Sequence, residues 1–406
     1  MQTSFGHLTY CTNIHAGESW NDHFAALKEN IPLVKKQLSP DRPFGIGLRL
    51  SHLASMELGK KETLEDFKAW LEKYQCYVFV LNGFPYGGFH HTKVKDQVHA
   101  PDWTTQDRVL YTIQLFYILS ALLPKGMDGG VSTSPLSYKH WHPSIKKERL
   151  QIFDTATENV LKVVEDLIRI RKATGQAMHL DIEPEPDGLI GNGPEFISWY
   201  LHQLVPQGIE YLKKYSGYDE KTAIAAIKDH VQICYDICHF AVGFEDHSAV
   251  IRELELQGIK VGRIQISAAL KADMAPNPAD RGKVIEAFKQ FNESTYLHQV
   301  VARLEDKSFK RYPDLPEALQ DANNSLTREW RSHFHVPLFI EDYGALQSTQ
   351  IDIEKVLAIQ KQKPFSKFME VETYTWEVLP DQLRLPIRES IVREIKWVEQ
   401  VLAKKN

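Results

Sequence analysis

The chain has 406 residues, a formal net charge of −5, 43% hydrophobic and 25% charged residues. That balance excludes a disordered chain, supports a sizeable core, and gives no global field favouring nucleic acid or anionic membrane. Its four cysteines (Cys11, Cys76, Cys234, Cys238) are too few for a disulfide framework and fit a reducing compartment. The opening MQTSFGHLTY has neither a basic flank nor an apolar signal core. The most apolar helical stretch, 109–123, carries Gln114 and Ser120 and stops at Pro124, too short to span a bilayer. The expectation is a cytoplasmic protein without a transmembrane segment or a nucleic-acid partner.

Strand-length apolar runs alternate with helical segments. A strand over 7–14 precedes a helix over 19–38. A strand over 44–50 precedes a helix over 63–74, where Thr63 and Asp66 have capping-box spacing. The run 77–81 is rich in Val, Phe and Tyr and leads through a long loop to the 109–123 helix. A weaker strand, 129–136, is followed by a long amphipathic helix to 173, closed by Gly175. Strands over 177–182, 231–237 and 260–267 follow, separated by helical segments, then a strand over 368–374 and a C-terminal helix over 385–402. Eight strands with helices between them predict a parallel sheet closed into a (β/α)8 TIM barrel. We expect one domain over 1–406, with an elaborated region between strands seven and eight and 271–331 as a helical insertion over the mouth.

In such barrels the chemistry sits at the C-terminal strand ends. His15 follows strand one and His52 strand two. Asn82 opens NGFPYGGFHH after strand three, with His90 and His91 at its end. Strand five ends in HLDIEPEP, with Asp181, Glu183 and Glu185 on one parity. Strand six ends in CYDICHF, with Asp236 and His239. Strand seven carries Gln265 and Ser267, and strand eight runs into Glu370, Glu372 and Glu377. Carboxylates in apolar strands are costly unless paired or bound to a cation, and several at one mouth repel each other. A divalent metal would resolve that repulsion and polarise a substrate. Each residue alone also has a structural reading: Glu183 or Glu372 as loop anchors, Asp236 and His239 as a polar pair, His15 and His52 as satisfied histidines. The glycines and aromatics of NGFPYGGFHH suit a lid that closes over a ligand, or else a static packed loop.

HLDIEPEP, YDICHF and VETYTW resemble the Glu, Asp-x-x-His and Glu elements of the xylose-isomerase-like TIM-barrel superfamily, which includes sugar isomerases, epimerases and an apurinic-endonuclease branch. More closely, YCTNIHAGESW, NGFPYGGFHHTKVKDQVHAPDW, HFHVPLFIEDYG and ETYTWEVLP resemble metabolite-traffic proteins of the EboE type, encoded in bacterial biosynthetic-export clusters. The resemblance implies metal-carboxylate positions at Glu183, Asp236 and Glu372. Gln265 stands where the superfamily commonly has a metal-binding His. His239, and His335 or His333, take positions used in multi-metal endonuclease sites.

The expectation is a metal-dependent isomerase or epimerase acting on a small hydroxylated metabolite, with one divalent ion (Mn, Mg, Zn or Co). Glu183 and Glu372 would be base and acid. Glu183, Asp236, Gln265, Glu372, His239 and His335 would supply metal ligands. His15, His52, Asn82, His90 and Trp376 would contact substrate, with Trp103 or Trp141 as alternative walls. A metal-dependent hydrolase or phosphodiesterase holding two or three ions, and a non-catalytic metabolite-binding protein, are the alternatives.

Overall fold

Eight parallel strands follow one another around a ring: Gly6–Tyr10, Phe44–Arg49, Cys76–Asn82, Gly129–Thr133, Met178–Ile182, Val231–Asp236, Val261–Ile266 and Phe368–Val371. Each pairs in parallel with its sequence neighbour from the second strand to the eighth, and the eighth pairs with the first. Between the first and second strands the ring closes through one parallel bridge, Cys11 to Gly47, and a Thr9 Oγ1 bond to the Gly45 carbonyl at 2.7 Å. The architecture is therefore the expected (β/α)8 barrel. This computed structural model describes residues 1–143, 145–275, 277–379 and 384–404, and the side chains of Glu377 and Val378 lie outside that description.

The helices form where apolar residues recur at helical spacing, and they end where the chemistry of the caps dictates. Helix Trp20–Leu38 starts at Ser19, whose side chain accepts from the Asp22 amide, and the helix buries Leu27, Ile31 and Val34. Helix Lys146–Thr174 stops at Gly175, which takes the left-handed φ of 76° that a side chain would resist. One expected start is displaced. Helix Lys61–Lys73 begins before Thr63, its N-cap Lys60 makes no side-chain cap, and a short helix, His52–Leu58, capped by Ser51, precedes it. The four cysteines are buried and free. Among the described residues no helix is long and apolar enough to cross a membrane.

The region between the seventh and eighth strands is not mainly helical, contrary to expectation. Strands Leu270–Asp273, Val300–Leu304, Phe309–Tyr312, Thr327–Ser332, Asp342–Tyr343 and Leu346–Ser348 form a second, antiparallel sheet, with helices Pro278–Lys289 and Leu315–Gln320 beside it. Alternating residues such as Val300 and Ala302 read equally well as strand or short helix, which is why periodicity misled there. The main apolar cluster runs without a break from the barrel into this sheet, through Leu270, Phe288, Trp330 and Val336.

Candidate functional site

Residues two apart on a barrel strand point to the same side, so inward positions stack in layers. On strands five to eight this produces two polar layers. The lower one holds Asp181, Arg263 and Glu370. Arg263 donates from Nε to Asp181 at 3.1 Å and from Nη1 to Glu370 at 3.0 Å, with all three side chains fully buried. Two glycines make room for it. A Cβ on Gly262 would lie 1.9 Å from Asp181 Oδ1, and one on Gly47 would lie 1.9 Å from Glu370 Oε1. Asp181 and Glu370, which share motifs with Glu183 and Glu372, therefore neutralise an arginine below the mouth.

The upper layer brings Glu183, Asp236 and Glu372 together. Each offers a carboxylate oxygen, and the three oxygens lie within 4.8 Å of one another. Asn13 and Asn82 both donate to Glu372 Oε1, at 2.8 and 3.1 Å. Ser267 Oγ and the His239 amide donate to Asp236 Oδ1, at 2.7 and 3.1 Å. Buried Glu183 Oε2 and Asp236 Oδ2 have no hydrogen-bond partner. Among the described residues the only ion-pair contacts of these acids are with His239 and His335, at 3.7 to 3.9 Å. Burial, and then repulsion from the neighbouring carboxylates, raises Glu183 and Glu372 well above the usual range. Burial would raise Asp236 too, but His239, His335 and the hydrogen bonds to Oδ1 hold it below its ordinary value.

Three histidines complete the floor. Asp236 caps helix Ile237–Val242, and its first turn carries His239 back over the mouth, which explains the Asp-x-x-His spacing. His333 and His335 lie two apart on a chain without regular structure, so both face the mouth while Phe334 faces His298. The Nδ1 atoms of His239 and His335 lie 2.9 and 3.0 Å from the carbonyls of Pro184 and Glu372. A carbonyl only accepts, so each Nδ1 carries a proton and each Nε2 is the ring nitrogen turned to the cluster. Gln299 donates from Nε2 to the Pro186 carbonyl and turns its oxygen to His333 Nδ1 at 2.7 Å, so that Nδ1 carries a proton too. His333 Nε2 lies 3.1 Å from His239 Nε2 and 3.3 Å from His335 Nε2. Burial lowers His333 well below the ordinary histidine range and His335 to about 4. Converging Nε2 atoms, beside carboxylates with unpartnered oxygens, form a donor set that fits a divalent transition-metal ion.

A cavity opens above this floor, lined by Asn82, Glu183, His239, His333, His335 and Glu372 among the expected residues, while Asp236 belongs to the carboxylate cluster but not to the lining. The other expected residues lie apart from it. Gln265 is in register with Asp236, but it is not part of the lining and its Oε1 accepts from the Cys234 thiol at 2.7 Å. His15 bonds to Tyr10 OH at 2.9 Å. His52 stacks on Tyr86 at 4.6 Å, outside the lining. Trp103 donates to Thr133 and Trp141 to Asp96. Trp376 is buried, but it is not part of the wall. His90 stands one step back, 2.6 Å from the Asn13 carbonyl and 3.2 Å from Tyr296 OH. The loop from Gly83 to Gly87 is tied down at successive carbonyls: Arg108 donates to Gly83 and Phe84, Tyr111 to Pro85, the His52 amide to Tyr86, and Arg49 to Gly87. In this structure it packs as a wall of the cavity, with Phe84 and Pro85 in the lining.

Lining residues that the sequence did not single out are Asn13, Gln299, Tyr296 and Tyr374. Asn13 had a signal, since it precedes His15 at the first strand's end. Tyr296 and Gln299 had none, because their place depends on how the second sheet docks. Glu185, named only by parity, lines the cavity and lies 2.7 Å from His99.

No family model matches the chain, and no curated protein matches it. Among solved structures, the chain is similar to an IolI protein with a bound zinc atom, at 13% identity over 98% of each chain and a TM-score of 0.47. It is similar to a D-tagatose 3-epimerase-like protein, at 11% identity over 98% of this chain and 97% of that one, with a TM-score of 0.48. A putative sugar phosphate isomerase/epimerase from Anabaena variabilis gives 11% identity over 98% of each chain and a TM-score of 0.47. At this distance the roles of the site residues rest on this chain's own geometry.

Proposed function

We propose that the protein is a metal-dependent isomerase or epimerase of a small hydroxylated metabolite. The observation that carries this reading is the set of three buried carboxylates within 4.8 Å of one another, two of whose oxygens have no partner. Glu183, Asp236 and Glu372 would hold a divalent cation, with Nε2 of His335 or His239 in reach, and nitrogen in the set favours Mn, Co or Zn over Mg. Held there, such an ion would supply Lewis-acid polarisation of a substrate carbonyl, which makes the C–H beside it more acidic. Glu183 and Glu372 project from different strands of the mouth. Glu183, with Oε2 unpartnered, is placed to take a proton, and Glu372, oriented through Oε1 by Asn13 and Asn82, to return one. The likeness of the strand-one and strand-three segments to EboE-type proteins supports a metabolite of a biosynthetic-export route.

A second reading has its own support. The three converging histidines, with Glu185 close to His239 and His333, offer a place for another ion, as a metal-dependent hydrolase or phosphodiesterase would need. One experiment separates the two. Metal-loaded protein is incubated in D2O with a panel of aldoses and 2-ketoses and, separately, with bis(p-nitrophenyl) phosphate. Loss of a substrate C–H signal in the wild type but not in Glu372→Gln supports the isomerase. Phosphodiester cleavage with two or more ions per chain, and no C–H exchange, would replace it with the hydrolase.

A further inference from the structure

The floor of the cavity is polar, but one of its walls is mainly apolar. Phe89, Val94 and Tyr296 form an apolar cluster separate from the main core, with Val98 and Tyr374 packed on it, and all of these residues line the cavity. The rings of Phe89, Tyr296 and Tyr374 stand 5.1 to 5.2 Å apart in pairs. Phe84, Pro85 and Leu297 extend the same surface. This satellite cluster gives the cavity a mainly apolar wall beside the carboxylates and histidines. A free polyol would leave hydroxyls without partners along Phe84, Pro85, Phe89, Val94, Val98 and Leu297.

Charge narrows the substrate further. The lining acids Glu183, Glu185 and Glu372 face one lining cation, Lys95, and among the described residues no arginine lines the cavity. Lys95 Nζ is already held by Asp314 at 2.6 Å and by the Glu293 carbonyl at 3.2 Å. Among the described lining residues no arginine and no unpaired lysine is left to take a phosphate or carboxylate on the substrate.

Building on the isomerase reading, we propose that the substrate is amphipathic: a neutral, hydroxylated head on the acidic floor, joined to an aryl or branched apolar body against the Phe89–Tyr296–Tyr374 wall. Val98 and Leu297, half-buried members of the wall, set this specificity.

Hydroxamates test it, because their two adjacent oxygens chelate a divalent ion while the substituent varies. Affinities of the Mn-loaded protein are measured calorimetrically for acetohydroxamate, benzohydroxamate and phosphonoacetohydroxamate. Benzohydroxamate should bind about tenfold or more tighter than acetohydroxamate, the gain expected from covering one aromatic ring, and phosphonoacetohydroxamate should bind no tighter than acetohydroxamate. Val98→Asn and Leu297→Asn should each cut the benzohydroxamate advantage and leave acetohydroxamate unchanged. Equal affinities for the first two probes, an aryl advantage that survives both substitutions, or tight binding of the phosphonate would overturn the amphipathic substrate while leaving the metal site standing. Failure of all three probes to bind would remove the metal site, and this proposal with it.

Discussion

Asp181 and Glu183 are two residues apart in one motif, yet they do opposite work. Asp181, with Glu370, neutralises Arg263, whereas Glu183 has an oxygen with no partner at all. The motif showed that acids would enter the barrel, but not which layer held the arginine, because Arg263 sits on another strand and its reach is a tertiary fact. Replacing Arg263 with Met would strand two carboxylates in the interior. A loss of about 3 to 5 kcal/mol is expected in urea unfolding. A loss below about 1 kcal/mol would show that the pair is not needed to keep the lower layer closed. Glu394 gives a pH test away from the metal ligands. Burial raises its carboxyl to about 7, against the hydrogen bonds that its Oε1 accepts from Thr373 and the Leu338 amide. Between about 4.5 and about 7 the folded state keeps a proton that the unfolded chain has released, so this group's contribution falls as pH rises through that window. Glu394→Gln should be stabilising relative to wild type by an amount that grows from about pH 5 to about pH 8, reaching up to about 3 kcal/mol. A difference that does not change with pH would mean that the carboxyl ionises at its ordinary value.

At the scale of elements, the eight barrel strands were legible because each is a short apolar run bounded by turn or cap residues, and their observed ends fall within a few residues of the expected ones. The segment between strands seven and eight was not, since short apolar runs do not declare whether they pair with a neighbour. That gap hid Tyr296 and Gln299, which arrive from it, while His333 and His335, from the same segment, were named only through the family resemblance. The loop after strand three shows the same limit. Its glycines and aromatics are compatible with a lid, and only the partners Arg49, Arg108 and Tyr111, distant in sequence, make it a wall. His90 is buried between Asn13 and Tyr296, so His90→Ala should cost about 1 to 3 kcal/mol of stability as well as weaken ligand binding. An unchanged melting temperature with weakened binding would return the loop to the lid reading.

Across the whole molecule, the apolar cluster is continuous from the barrel into the second sheet. Heat unfolding followed by far- and near-ultraviolet circular dichroism should therefore show one coincident transition, and two separated transitions would mark the second sheet as an independent unit. The same continuity sets the site. The barrel supplies the carboxylates, the second sheet delivers two of the histidines, and neither alone makes the donor set. The most direct test is elemental analysis after dialysis against Mn, Co and Zn, on the wild type and on Asp236→Asn, which keeps the shape but removes the charge shared by both parts of the cluster. The account predicts about one equivalent of tightly held metal or more in the wild type, less than about a tenth of that in the variant, and a melting temperature raised by metal only in the wild type. Wild-type protein that retains no divalent ion, or a variant that holds as much as the wild type, would contradict it.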